Sequence, residues 1–342
     1  TSLLLYLLET NKVEAVAIVA LEKGYPVLRI TDDPKVILSS SGSKYSPVPV
    51  MEHIIKMLKD NPCRIAITAI PCQLAALHYA MEKDKRLAES EVFAIGLFCG
   101  DLKDYESVHR IADSLCLKYP QETKFLGWRC GRWPGNARFE IDDGSFKDKQ
   151  LHPWLDLSIP YYALLRCLMC PSRENWLADL ALADNHIGGT SDTVILARSP
   201  KGYELLRHAA AEGFIKLTEV NEEKADKIVT RTKFVPALSY IHWRRRKGYP
   251  IPFYDYHEDN IFSERCWSTR YLFLIKYRMF IWVRKERIID FLITHPFLME
   301  KIGKFLNNFP RSIPGSRTVE RLLSGFLSFY GNIKRAIRLF IV

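Results

Sequence analysis

The chain has 342 residues, 48% of them hydrophobic and 26% charged, with a mean hydropathy of −0.10, which suits one large or two ordinary globular domains. Its eight cysteines, at 63, 72, 99, 116, 130, 167, 170 and 266, are too scattered for a disulfide scaffold and point to a reducing, cytoplasmic setting. The net charge of +10 is uneven: residues 241–342 hold 19 Lys and Arg against 8 Asp and Glu, net +11, leaving 30 and 31, net −1, for residues 1–240. A boundary is therefore expected near 240, between a core (1–240) and a basic, mostly helical extension (241–342).

Leu3 to Leu8 reads as a helix already under way, with no capping residue and no room for a first turn. The chain is thus expected to be a piece that has lost its true N-terminus, and the absence of a signal peptide carries little weight. Residues 13–20 and 26–30 read as strands, because apolar and β-branched residues fill short runs bounded by turn formers. A helix is expected over about 48–59. Residues 64–70 form a continuous apolar run, the pattern of a strand covered on both faces, and 73–81 have helical composition and period. Cys72 then falls at a strand-to-helix junction. The arrangement repeats with a buried strand over 92–98, closed by Cys99-Gly100, and a helix over 102–117. Between 121 and 165 the pattern is irregular, with short strands at 137–141 and 145–150 that suggest a hairpin excursion. Residues 193–198 read as a strand and 201–212 as a helix against it. The fold class is α/β: a mixed or parallel-rich sheet core with flanking helices and a hairpin excursion.

In an open α/β sheet, ligands collect at the carboxyl ends of adjacent strands, where Cys72 and Cys99 would both lie. Each taken alone could equally be a small buried thiol. Cys167-Leu-Met-Cys170-Pro171 puts two sulfurs on one turn, stiffened by proline, and four converging thiolates can hold an iron–sulfur cluster or a zinc ion. Spacing does not choose between these. Ser41-Gly42-Ser43-Lys44-Tyr45 could cradle a phosphate with amides, hydroxyls and one lysine, or be a solvated loop. Arg129 and Arg132, in a glycine-rich and aromatic stretch, could meet a phosphate or decorate a surface turn. Asp184, near Gly188-Gly189-Thr190-Ser191, could hold a ribityl or ribose hydroxyl or cap the turn. No Walker motif occurs, and no Gly-x-Gly-x-x-Gly follows a strand, so a nicotinamide-type site has no support.

In residues 241–342 charges interrupt every apolar block before it reaches the length of a membrane-spanning helix. The cations from Lys276 to Arg287 are poorly sorted to one helix face. Packing on the core, docking to a partner protein and peripheral contact with an anionic membrane at its inner face all stay open. Nucleic-acid binding has no reading module behind it.

Jointly, Ser41 to Tyr45, Ile70-Pro71-Cys72-Gln73, Leu97-Phe98-Cys99-Gly100, Trp133-Pro134-Gly135-Asn136, the Cys167 to Pro171 run and Leu177-Ala178-Asp179 through Asp184 resemble the coenzyme F420 hydrogenase/dehydrogenase beta subunit family. The resemblance covers about residues 1–250, and the family includes relatives in exopolysaccharide gene clusters and the chlorophyll-cycle hydroxymethyl reductase. It implies an oxidoreductase core binding FAD and one 4Fe-4S cluster, with electrons passing through the flavin to coenzyme F420 or another small organic acceptor. It implies Cys72, Cys99, Cys167 and Cys170 as cluster ligands, and Ser41, Gly42, Ser43, Lys44, Tyr45, Asp184, Gly188, Gly189 and Thr190 as places for flavin contact. Cys63, Cys116, Cys130 and Cys266 are then ordinary thiols. A redox partner protein or a ferredoxin-like segment would supply electrons. The chain departs from the family in lacking that segment and a Ser-Gly-Gly motif, and in carrying Ala183 where glycine usually precedes the aspartate. The rival expectations are a scaffold or binding protein with structural zinc, and a flavin-less electron relay in polysaccharide biosynthesis.

Overall fold

The computed structural model describes residues 1–131, 135–150, 162–184, 192–220 and 234–252. Its main sheet has the order β2-β1-β3-β4-β8-β9, built from β1 (Ala15–Glu22), β2 (Tyr25–Thr31), β3 (Arg64–Ala69), β4 (Glu91–Leu97), β8 (Leu180–Asp184) and β9 (Thr193–Ala197). β1, β3, β4 and β8 run parallel, while β2 and β9 pair antiparallel at the two edges. A second sheet is the antiparallel meander β5 (Thr123–Cys130), β6 (Asn136–Ile141) and β7 (Phe146–Gln150). The fold class read from the sequence, a mainly parallel sheet with flanking helices and a hairpin excursion, is the one observed.

Period-2 alternation in the parallel strands feeds two separate core layers. Val16, Ile18, Ala66, Phe93 and Ile95 face α1 (Ser2–Glu9), α2 (Pro34–Ser39) and α7 (Pro200–Ala211), where they meet Leu3, Leu7, Ile37 and Leu205. Ala17, Ile65, Ile67 and Ala94 face the other way, onto Ile54 and Leu58 of α3 (Val50–Asp60) and Leu74 and Leu77 of α4 (Pro71–Lys83). Ile65 and Ile67 have no exposed surface, and each such burial contributes about 1.5–3 kcal/mol. A third layer joins α5 (Glu106–Ser114) to the small sheet through Val108, Ile111, Phe125, Trp128 and Phe139.

The helices start where their residues can satisfy free amides. Asp33 accepts from the Lys35 amide at 2.8 Å ahead of Pro34, and Ser199 accepts from the Gly202 amide at 3.0 Å ahead of Pro200. At α4 the Gln73 side chain accepts from the Ile70 amide at 3.1 Å, so the chain turns from β3 into the helix within two residues and places Cys72 in its first turn.

One expected element is shorter than its composition suggested. The helix expected over 102–117 is confined to α5, because the amides of 102–104 are taken elsewhere: Leu102 donates to the Cys167 sulfur at 3.4 Å, Lys103 to the Tyr45 carbonyl at 2.6 Å and Asp104 to the Tyr162 carbonyl at 2.9 Å. α2, β5 and β8 were not read as elements in the sequence. The short α6 (Leu165–Leu168) carries Cys167, and α8 (Phe234–Arg246) packs against it. α8 runs through residue 240, so the charge boundary falls inside a helix.

Candidate functional site

Because β1, β3, β4 and β8 are parallel, their carboxyl ends share one edge of the sheet. Cys72 follows β3 there and Cys99 follows β4. The loop carrying Cys167 and Cys170 reaches the same edge before the chain enters β8. The Cys99 amide donates to the Arg173 carbonyl at 3.0 Å, and the Cys170 amide donates to the Cys167 carbonyl at 3.2 Å. Burial by the surrounding loops pushes the Cys72 thiol up, and the nearby Cys170 and Cys167 sulfurs push it further, against its own amide and Arg166. Cys72 is exposed and the other three are half-buried, and no disulfide joins any of the seven described cysteines. Among the described residues no three Cys, His, Asp or Glu side chains stand close enough together to hold a single metal ion. Ligands of a cubane cluster bind four separate corners and stand farther apart than the four sulfurs of one zinc, each about 2.3 Å from the metal.

Asn175 organises this edge, and sequence reasoning did not single it out. It is fully buried with a φ of +51°, a backbone conformation that asparagine tolerates better than most residues. Its side-chain nitrogen donates to the Ala69 carbonyl at the end of β3 (2.8 Å) and to the Leu97 carbonyl at the end of β4 (3.3 Å). Gly96 makes room for it: a Cβ there would stand 2.5 Å from the Asn175 nitrogen.

The second half of the site lies beside the cysteines. Ser41 to Tyr45 follows α2, and Ser43 bridges Trp128 of β5. Lys44 turns inward: its ammonium donates to the Ser41 and Gly42 carbonyls at 3.1 and 3.0 Å and also to that of Ser40, closing the carbonyl end of α2. Burial brings this ammonium down to about 8. Tyr45 lies edge-on to Trp128, ring centroids 5.9 Å apart, with the Arg129 guanidinium 5.7 Å from its own ring centre. Arg129 also pairs with Asp184 at 3.4 Å. It holds a φ of +59°, and Gly135 folds so closely over it that a Cβ would meet the Arg129 Cα at 2.5 Å. Arg129 thus joins two segments, Tyr45 and Asp184, whose proximity no sequence spacing announces. Gly188, Gly189, Thr190, Ser191 and Arg132 lie outside the described residues.

Two consecutive amides connect the halves. Leu102 N–H reaches the Cys167 sulfur, and the next N–H, of Lys103, reaches the Tyr45 carbonyl. Lys103 itself is 1% exposed and pairs with Asp101. Ala183 packs its methyl against Val194 and Phe98, so the extra carbon at that position fills a small core cluster.

The N-terminal model of the coenzyme F420 hydrogenase/dehydrogenase beta subunit matches residues 1–54, and the model of that subunit's C terminus matches residues 63–223. The chain belongs to this family. Membership makes it oxidoreductase-related, in a family of redox electron transfer. Among solved structures it is similar to a chain of the xenon-derivatized F420-reducing [NiFe] hydrogenase complex from Methanosarcina barkeri, with a TM-score of 0.59 and 16% identity over 73% of this chain and 87% of that one. At that identity the likeness concerns the fold. The first matched region ends within α3, the second begins just ahead of β3, and α8 lies beyond both. Among the described residues no helix is long and apolar enough to cross a membrane. The basic end of α8 is partly tied down, since Arg244 stacks near Tyr240 and Tyr249 and donates to the Pro250 carbonyl at 3.0 Å.

Proposed function

We propose that this chain is an oxidoreductase subunit that holds a 4Fe-4S cluster on Cys72, Cys99, Cys167 and Cys170, and FAD against Ser41 to Tyr45, Arg129 and Asp184. The observation that carries this reading is the pair of consecutive amides at Leu102 and Lys103, which places a cysteine sulfur and the Tyr45 segment on either side of one stretch of backbone. When bound, the cluster supplies single electrons and the flavin exchanges a hydride with a deazaflavin such as coenzyme F420 or with another organic acceptor.

The chain's own groups divide the work of holding these cofactors. The four thiols lose their protons to bind iron, so binding is favoured by rising pH, and the raised Cys72 thiol resists that loss. Arg129, fixed in orientation by Asp184 and the Tyr45 ring, offers a planar fork to a phosphate. Asp184, half-exposed at the tip of β8, can accept from a sugar or ribityl hydroxyl. Lys44 is committed to the carbonyls of its own loop, so it shapes the segment and lends it charge. Electrons would arrive from a redox partner protein docked beside the cysteines.

An anaerobic absorption spectrum of the full chain with and without dithionite, alongside iron, sulfide, zinc and flavin analysis, tests the reading. Flavin bands over a broad shoulder, both bleaching, are expected, and Cys167→Ser should remove the shoulder. A colourless protein carrying zinc and no flavin overturns it, and iron and sulfide without flavin overturns its FAD half.

A further inference from the structure

We infer that Asn175 is the positioning residue of the cysteine edge: one buried carboxamide sets the relative placement of all three cysteine-bearing segments. The inference rests on the cluster proposed above. The side-chain nitrogen of Asn175 binds the last carbonyl of β3, three residues before Cys72, and the last carbonyl of β4, two residues before Cys99, while its backbone lies five residues after Cys170. The Cys99 amide returns a bond to Arg173 in the same loop. One donor group thus ties together the carboxyl ends of two neighbouring parallel strands.

Three features separate this from ordinary packing. Asn175 is fully buried in a left-handed backbone conformation, so a generic apolar residue fits neither the φ nor the two acceptors. Its Oδ1 is buried without a hydrogen-bond partner among the described residues, a cost that a residue needed only for its volume would not carry. Gly96, on the facing strand, leaves space for the carboxamide and for little else: an added Cβ would lie 2.5 Å from Nδ2 and 2.6 Å from the Ala178 methyl. The amide therefore acts on the metal ligands from outside the coordination sphere, by fixing the backbone from which they project.

The test is Asn175→Gly, which keeps the left-handed conformation and deletes the bridge, with Gly96→Ala as a second variant that displaces the same amide from the opposite side. Leu58→Ala, on the buried face of α3, serves as a control for lost stability alone. Each full-length protein is purified anaerobically, and three quantities are read: iron and sulfide per chain, the electron paramagnetic resonance signal after dithionite, and the rate of cluster bleaching in air at a temperature where circular dichroism shows all chains folded. Both edge variants should bleach roughly 10-fold faster than wild type and show a shifted resonance signal, while Leu58→Ala should bleach like wild type. Wild-type bleaching and an unchanged signal in Asn175→Gly overturn the inference alone. Equal acceleration in Leu58→Ala also overturns it, since general loosening would then account for the loss. A wild-type chain without iron and sulfide overturns the cluster reading, and this inference with it.

Discussion

Two aspartates bracket β8, and they sit in opposite kinds of environment. At the root of the strand, Asp179 accepts from the Ala94 amide at 2.8 Å and from the Ser199 hydroxyl at 2.6 Å, while its own backbone exchanges bonds with Ala94 and Arg198. At the tip, Asp184 has a side chain 53% exposed and one ion pair, to Arg129. The root carboxylate is part of the frame joining β4, β8, β9 and α7. The tip carboxylate can trade its partner for a ligand hydroxyl without disturbing the sheet. The same division separates the two halves of the site: the cysteine loops are fixed to strand ends by buried bonds, whereas the Arg129 side chain, on a backbone tied in through Ser43 and Tyr45, rests on a ring and an exchangeable ion pair.

If that division is real, perturbations at the frame should cost stability and those at the tip should cost ligand. Gly96→Val should have the largest effect, because its branched side chain meets the Asn175 carboxamide and Ala178 with nowhere to move. About 3 kcal/mol or more of lost unfolding free energy is expected, from overpacking and from broken bonds to the strand ends, and it should appear as a lower urea midpoint. A loss below about 1 kcal/mol would show the cysteine loop to be loosely attached. Asp179→Ala removes the acceptor of a backbone amide and a hydroxyl and should cost about 1.5–3 kcal/mol, measured the same way. Asp184→Ala should leave stability within about 0.5 kcal/mol. Its flavin affinity, followed by fluorescence titration of protein stripped of flavin, should fall roughly 10-fold, the equivalent of one hydrogen bond of about 1.4 kcal/mol. Unchanged affinity in that variant would remove Asp184 from the proposed flavin contacts.

Sequence periodicity resolved the frame well and the edge poorly, for a physical reason. Runs such as 64–69 and 91–97 carry their own evidence, because alternating burial on two faces demands apolar residues at nearly every position. β8 was missed as a strand. It is short, flanked by an aspartate at its root and ended by another, and its Leu-Ala-Leu-Ala composition serves a helix as readily as a strand. The stretch from 102 was read as helix because its composition permits one. Its amides instead serve Cys167, Tyr45 and Tyr162, partners 58–65 residues away in sequence. The four cysteines could be put forward together through their motifs and the family resemblance, but Asn175 could not: its signal is a buried acceptor pair created by two distant strands. A glycine at 96 inside an apolar strand was the one local hint, since glycine in a strand interior often marks close approach by another group.

Lys44 and Tyr119 sharpen the comparison on the Tyr45 side, with the smallest expected effect at any one pH. Both line a small pocket between the β1–β2 turn, α5 and β5, together with Tyr25, Tyr105 and Trp128. Burial there acts on opposite charge types: it lowers the Lys44 ammonium to about 8 and raises the Tyr119 phenol to about 12, the latter with help from Tyr25 and Tyr105. From pH 8 to 10.5 the unfolded chain still protonates Lys44 while the folded chain does not, so this residue makes stability rise with pH. From pH 10 to 12 the folded chain keeps the Tyr119 proton that the unfolded chain has released, so this residue makes stability fall. Each slope is bounded by about 1.4 kcal/mol per pH unit and is reduced by solvent screening. Urea midpoints measured across this range should therefore differ in shape among three chains. Relative to wild type, Lys44→Met should lose a rise above pH 8, and Tyr119→Phe should lose a fall above pH 10. If Lys44→Met instead follows the wild-type curve in parallel, the ammonium is solvated, and the loop after α2 is open enough for Lys44 itself to reach a phosphate.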